Sequence, residues 1–170
     1  MDSLFHVLIP VMLALVANVD RKRALMLAPI ALIPDLDVLL MAHRIYLHTI
    51  FVPLAIALVP FFLRSLGRRE HRNLFLLASF YYLSALVLDS FPGPVAILWP
   101  LTNVGYGLWV WVGFSQQSVI PMIRPYAMIN VKEMQVPNVV TDAAVVTPQS
   151  IATALLFVSI ILISELRKRL

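Results

Sequence analysis

Seven residues of the chain combine types and spacings that could do chemistry: His6, Asp35, Asp37, His43, Arg44, His48 and Asp89. Carboxylate oxygen and neutral imidazole together suit zinc, manganese or iron, whereas an all-oxygen set would suit magnesium or calcium. The two carboxylates of Asp35-Leu36-Asp37 can bridge or divide between ions where the backbone turns, and Pro34 predicts a distorted helix at that point. His43 and His48 are five positions apart and do not share a face of a regular helix, so a bend must bring them together. Taken singly, each feature has an ordinary alternative. His6 could be a helix-end imidazole, His43-Arg44 plain loop charge, His48 an interfacial imidazole and Asp89 a turn cap. Asp35 and Asp37 are the hardest to explain in that way.

The elements that position these residues follow from composition. Of 170 residues, 61% are hydrophobic and 13% charged, with mean hydropathy +0.88. Soluble domains average about 45–50% apolar and about 25% charged residues, so this composition excludes an ordinary soluble globular protein and also a disordered chain. The absence of cysteine excludes disulfides, thiolate chemistry and Cys-type zinc sites. The expectation is a single all-α integral membrane domain. Apolar runs punctuated by charge predict five transmembrane helices at 4–19, 24–42, 46–63, 73–89 and 149–166. The stretch 95–114 is apolar and aromatic but broken by Pro100, Asn103, Gly105 and Gly107, and reads as re-entrant or interfacial. Residues 115–148 read as an outer cap, and the alternation over 126–136 hints at a strand.

Five crossings place ten of the thirteen Lys and Arg on one face: Arg21, Lys22, Arg23, Arg64, Arg68, Arg69, Arg72, Arg167, Lys168 and Arg169. The positive-inside rule makes that face cytoplasmic. The reading is a multi-pass protein of the plasma (inner) membrane with its N-terminus outside. The first helix lacks the basic n-region and cleavage site of a signal peptide. Asp20, Glu70, His71 and Glu165 stand beside the arginines as solvated charge. Three of the four histidines and the three isolated aspartates Asp35, Asp37 and Asp89 fall on the outer side. At about 1.5 Å per residue, Asp35 and Asp89 lie roughly 17 Å and 24 Å above the inner ends of their helices. Both therefore sit within the membrane. An ionised carboxylate there costs at least about 2.5–3.5 kcal/mol and needs a counter-charge. Arg44 alone cannot balance three aspartates, and a divalent metal can. Nucleic-acid binding is excluded, because the basic clusters are short, flank helices and lack aromatic interleaving.

The ordered motifs resemble a known family. Pro34-Asp35-Leu36-Asp37 followed by His43-Arg44-Ile45-Tyr46-Leu47-His48-Thr49 is similar to the Pro-Asp-x-Asp … His-Arg-Gly-x-x-His-Ser signature of the LexA-regulated, membrane-bound metal-dependent hydrolases. His6 resembles their N-terminal histidine. Tyr82-Leu83-Ser84 through Asp89, Pro92-Gly93-Pro94-Val95 and Leu98-Trp99-Pro100-Leu101 resemble their second block. The likeness covers roughly residues 6–101. It implies a hydrolase distantly related to zinc-dependent phospholipase C and the fungal zinc nucleases, acting on phosphoesters at a multi-metal site. The implied ligands are His6, Asp35, Asp37, His43, His48 and Asp89, with Arg44 meeting a phosphate. The family usually places a histidine one helical turn before the aspartate, where this chain has Ala85. Ile45 and Thr49 are milder departures. A missing ligand leaves three possibilities: fewer metals, a substitute such as Ser84 or Asn103, or an inactive relative.

Residues and resemblance together give a first expectation of a membrane-embedded hydrolase acting on a phosphoester, such as a lipid headgroup, in the outer leaflet. Zinc is the expected metal, with manganese also compatible. Asp35 or Asp37, whichever is less committed to metal, is the expected general base, and Arg44 the phosphate-binding residue. The competing expectation is a non-catalytic membrane subunit that keeps a degenerate metal site and binds a protein partner through 115–148. A proton or metal transporter is a third, weaker reading. The cytoplasmic halves of the helices lack ionisable residues to continue a pathway.

Overall fold

The computed structural model describes residues 3–65, 71–115, 122–135 and 146–167. Its main elements are α1 (Ser3–Val16), α2 (Arg21–Leu27), two consecutive 3-10 helices (Ala28–Leu32 and Pro34–Leu40), α3 (Phe51–Ser65), α4 (Arg72–Ser90), β1 (Val104–Ser115), β2 (Met122–Glu133) and α5 (Pro148–Arg167). The fold is mostly helical. α4 packs against α3 on one side and against α1, α2 and the first 3-10 helix on the other, while α5 lies against α1.

Small residues make the close approach possible. Val11 and Ala14 of α1 meet Ala24, Ala28 and Ala31 over Tyr81 of α4. Tyr81 carries a polar handle into this apolar seam, and its hydroxyl donates to the Ala24 carbonyl at 2.8 Å. At the far end of α1, Asn18 turns the chain with φ 58°. Asp20 then caps α2, accepting a hydrogen bond from the Arg23 backbone N–H at 3.0 Å. The charge read as solvated at Asp20 is thus also a helix cap.

Three expectations are corrected. The predicted helix over 24–42 is three pieces, because Pro29 and Pro34 each lack the N–H that an α-helix needs and each opens a 3-10 turn. The depth estimate for Asp35, built on a regular α-helical rise, therefore lapses. Second, the chain is not all-α. Within the stretch expected as re-entrant or interfacial, 104–115 is a strand paired antiparallel with 122–133, from Val104 opposite Glu133 to Ser115 opposite Met122. Glycines at 105 and 107, with valines and aromatics around them, disfavour helix and suit an extended ladder. Of the strand hinted at over 126–136, residues 126–133 belong to β2. Third, five helices of spanning length are not found among the described residues. α4, with 19 residues, is long and apolar enough to cross a membrane, whereas the apolar stretches Ser3–Val16, Phe51–Arg64 and Pro148–Ile161 are shorter. Parts of the predicted cap (116–121 and 136–145) and of the basic clusters (Arg68, Arg69, Lys168 and Arg169) lie outside the described residues.

Candidate metal centre

Each polar residue reaches the centre by a local device. In α1, Pro10 cannot donate to the carbonyl one turn earlier, which belongs to His6. The His6 side chain is fully buried. In the second 3-10 helix, three residues per turn set Asp35 and Asp37 about 120° apart around the axis, against about 160° in an α-helix. The two carboxylates can therefore serve one centre from adjoining directions. Left-handed backbone at Met41 (φ 52°) and Arg44 (φ 65°) then folds the chain back. This is the bend that His43 and His48 require, and their rings meet edge-on with centroids 5.7 Å apart. Asp89 comes from the last turn of α4.

All six sequence-predicted ligands and Arg44 converge. Asp35 Oδ2 lies 3.2 Å from His6 Nδ1, and His6 Nε2 lies 3.3 Å from Asp89 Oδ1. The other Asp89 oxygen is 3.0 Å from His48 Nε2, whose Nδ1 is 2.8 Å from Asp37 Oδ2. Asp37 Oδ1 faces His43 Nδ1 at 3.6 Å. Carboxylates and imidazoles thus alternate in one continuous chain from Asp35 to His43. Arg44 Nη2 approaches Asp89 Oδ1 at 3.5 Å. His6, Asp37, His48 and Asp89 are buried, while Asp35, His43 and Arg44 keep 21%, 13% and 16% of their side chains exposed and form the open side.

No protein-family model, curated protein or solved structure matches this chain. The resemblance to the hydrolase family rests on the motif residues themselves.

The donor set can be tested against a divalent cation on geometry. Among the described residues, buried His6 Nε2 and Asp37 Oδ1 make no well-formed hydrogen bond and meet only the long contacts to Asp89 and His43, although buried polar atoms are almost always satisfied. His6, Asp35 and Asp89 each offer a ligand atom within 4.8 Å of the others. Mixed imidazole and carboxylate donors of this kind fit zinc or manganese.

Several groups around the ligands support them through contacts that the motifs alone do not reveal. Ser3 Oγ donates to Asp35 Oδ2 at 3.1 Å. The Ile45 backbone N–H donates to Asp37 Oδ2 at 3.0 Å, while the Ile45 side chain packs with Ala42 and Ala96. That contact needs only the main chain, so a residue other than glycine is accommodated there. Thr49 Oγ1 donates to the Trp99 carbonyl at 2.6 Å, and Ala96 N–H to the Arg44 carbonyl at 3.0 Å. These bonds fasten the histidine loop to the segment after α4. The Tyr82 hydroxyl donates to the Leu47 carbonyl beside His48. The signal was present: two adjacent tyrosines in an apolar helix must each find a partner. The substitutes considered for the missing histidine do not join the cluster. Ser84 Oγ donates to the Tyr81 carbonyl at 2.7 Å, and Asn103 is exposed. Ala85 itself is fully buried one turn before Asp89.

The Tyr82 bond gives a direct prediction. Tyr82→Phe removes one buried hydrogen bond, worth about 1 kcal/mol, and is expected to lower Tm by about 2–4 °C for a chain of this size. Thermal unfolding of the purified protein measures it, and an unchanged Tm would contradict this role for Tyr82.

Proposed function

We propose that the protein is a membrane-embedded, metal-dependent hydrolase acting on a phosphoester in or near the outer leaflet. The observation that carries this reading is the convergence of three imidazoles, three carboxylates and Arg44 on one largely buried centre. Its membrane setting, with α4 crossing the bilayer and the Arg72 end of α4 cytoplasmic, is supported by composition, by the length and hydropathy of α4 and by apolar side chains left exposed on the helices. Phe61 is 69% exposed, Phe62 71% and Leu155 64%, apolar surface that a hydrocarbon surround would cover.

His6, Asp35, Asp37, His43, His48 and Asp89 would hold the metal, with zinc the best match to the donors. A bound divalent cation would supply Lewis-acid polarisation of a phosphoryl oxygen and a water of lowered pKa. The protein's own groups divide the remaining work. Asp37 is fully buried, with Oδ2 on the Ile45 N–H and His48 and Oδ1 facing His43, whereas Asp35 keeps 21% of its side chain exposed. Asp35 is the more open carboxylate and is assigned as the general base that accepts the proton of the attacking water. Arg44 lies at the open side with 16% of its side chain exposed, and beyond the long Nη2 contact to Asp89 its guanidinium keeps donors for a phosphate. Gly93 gives the guanidinium its room, for a Cβ there would lie 2.5 Å from Arg44 Nη1. Gly93→Ala is therefore expected to displace Arg44 and raise KM for a phosphoester about tenfold, the lower range for one charge-assisted hydrogen bond, with metal content unchanged.

The deciding experiment is turnover of phospholipid in mixed micelles by purified, zinc-loaded protein. Zinc-dependent hydrolysis that disappears in Asp35→Asn, with zinc retained, supports the assignment. No hydrolysis by the loaded wild type, or full activity in the variant, contradicts it. One observation favours a second reading. The fully buried Ala85 offers no donor atom where the related motif has an imidazole, as a non-catalytic subunit with a structural metal would allow. That reading predicts zinc without turnover and a stoichiometric protein partner in native mass spectra.

A further inference from the structure

We propose that a groove between α3 and α4, at the end away from the metal centre, holds an anionic phospholipid, with its phosphate on Arg64 and Arg72 and an acyl chain along the apolar wall below. The groove has a cavity volume of about 240 Å³ and is lined by Ala57, Pro60, Phe61, Arg64, Arg72 and Leu76. Among the described residues its polar lining is two guanidiniums with no carboxylate, a charge complement to an anion. Guanidinium is the side chain best matched to phosphate oxygens, which it can engage through two parallel hydrogen bonds.

The rest of the lining decides which phosphate. A free phosphate has no use for an apolar wall, yet Phe61 is 69% and Leu76 45% exposed directly beside the arginines. Pro60 contributes to the wall from within α3. Arg72 opens α4, where the helix dipole adds to the attraction for an anion, and Asp89 lies in its last turn. Seventeen residues separate them, about 26 Å along the axis and close to the thickness of a bilayer core. The groove and the metal centre thus occupy opposite ends of one helix, and the inference rests on the membrane setting proposed above. The bound lipid belongs to the inner leaflet and is distinct from any substrate at the outer end.

The test is native mass spectrometry of the full chain in detergent, titrated with phosphatidylglycerol. The wild type is expected to retain one phosphatidylglycerol. Arg64→Ala with Arg72→Ala is expected to bind it about thirtyfold more weakly, at about fivefold per arginine. Leu76→Trp fills the groove with both arginines intact and is expected to weaken retention as well. Both variants should keep wild-type zinc content. Undiminished retention by the double variant, equal retention of phosphatidylcholine, or displacement by millimolar inorganic phosphate would overturn the proposal. A zinc-free wild type that still selects phosphatidylglycerol through these arginines would sink the metal-site reading and leave the lipid site standing.

Discussion

Asp89→Ala is expected to empty the centre of metal and to destabilise the protein by about 3–5 kcal/mol, the cost of removing one partner from a buried charge network. Asp89 is the joint of that network. Its Oδ1 lies 3.3 Å from His6 Nε2 and 3.5 Å from Arg44 Nη2, and its Oδ2 lies 3.0 Å from His48 Nε2. Alanine would withdraw the carboxylate from two buried imidazoles and a guanidinium at once. Asp89→Asn keeps the volume and some hydrogen bonding, so it is expected to fold while holding metal more weakly. Zinc content after dialysis, together with thermal inactivation in detergent, measures both effects. A stable, fully loaded alanine variant would show that Asp89 is peripheral to the centre.

Arg44→Ala is expected to lower kcat/KM for a phosphoester by about 10²–10³, the range for losing one positioned donor to developing negative charge, with zinc content unchanged. Arg44 is held in left-handed backbone (φ 65°), its carbonyl is fixed by Ala96 N–H, and its side chain passes over Gly93. A non-glycine residue in that conformation costs roughly 1–2 kcal/mol, which the surrounding contacts must offset. Arg44→Lys retains the charge without the planar fork and is expected to recover only part of the loss. Equal activity in wild type and Arg44→Ala would remove Arg44 from the mechanism.

The site was more legible than the scaffold, for a physical reason. In a chain with 13% charged residues, an aspartate or histidine inside an apolar run has no solvation role to play. His6, Asp35, Asp37, His43, His48 and Asp89 therefore stood out, and their side chains converge. The breaking of 24–42 into α2 and two 3-10 helices was only partly visible. Pro34 marked the distortion, but an apolar run has the same hydropathy in either helix type. β1 was hidden because an aromatic run with glycines fits a membrane-interface segment as well as a strand. The supports at Ile45 N–H and Ser3 were illegible for another reason. They act through the backbone or through a single hydroxyl, and such contacts depend on tertiary approach rather than on spacing along the chain.

The most direct test of the metal centre is X-ray absorption at the zinc edge of the purified, zinc-loaded chain, compared with the Asp35→Ala, Asp37→Ala double variant. The account predicts stoichiometric zinc in the wild type, a nitrogen and oxygen first shell with the outer-shell signature of imidazole, and loss of that metal in the double variant. A wild type that binds no transition metal, or a double variant with the same metal content and the same shell, would contradict it.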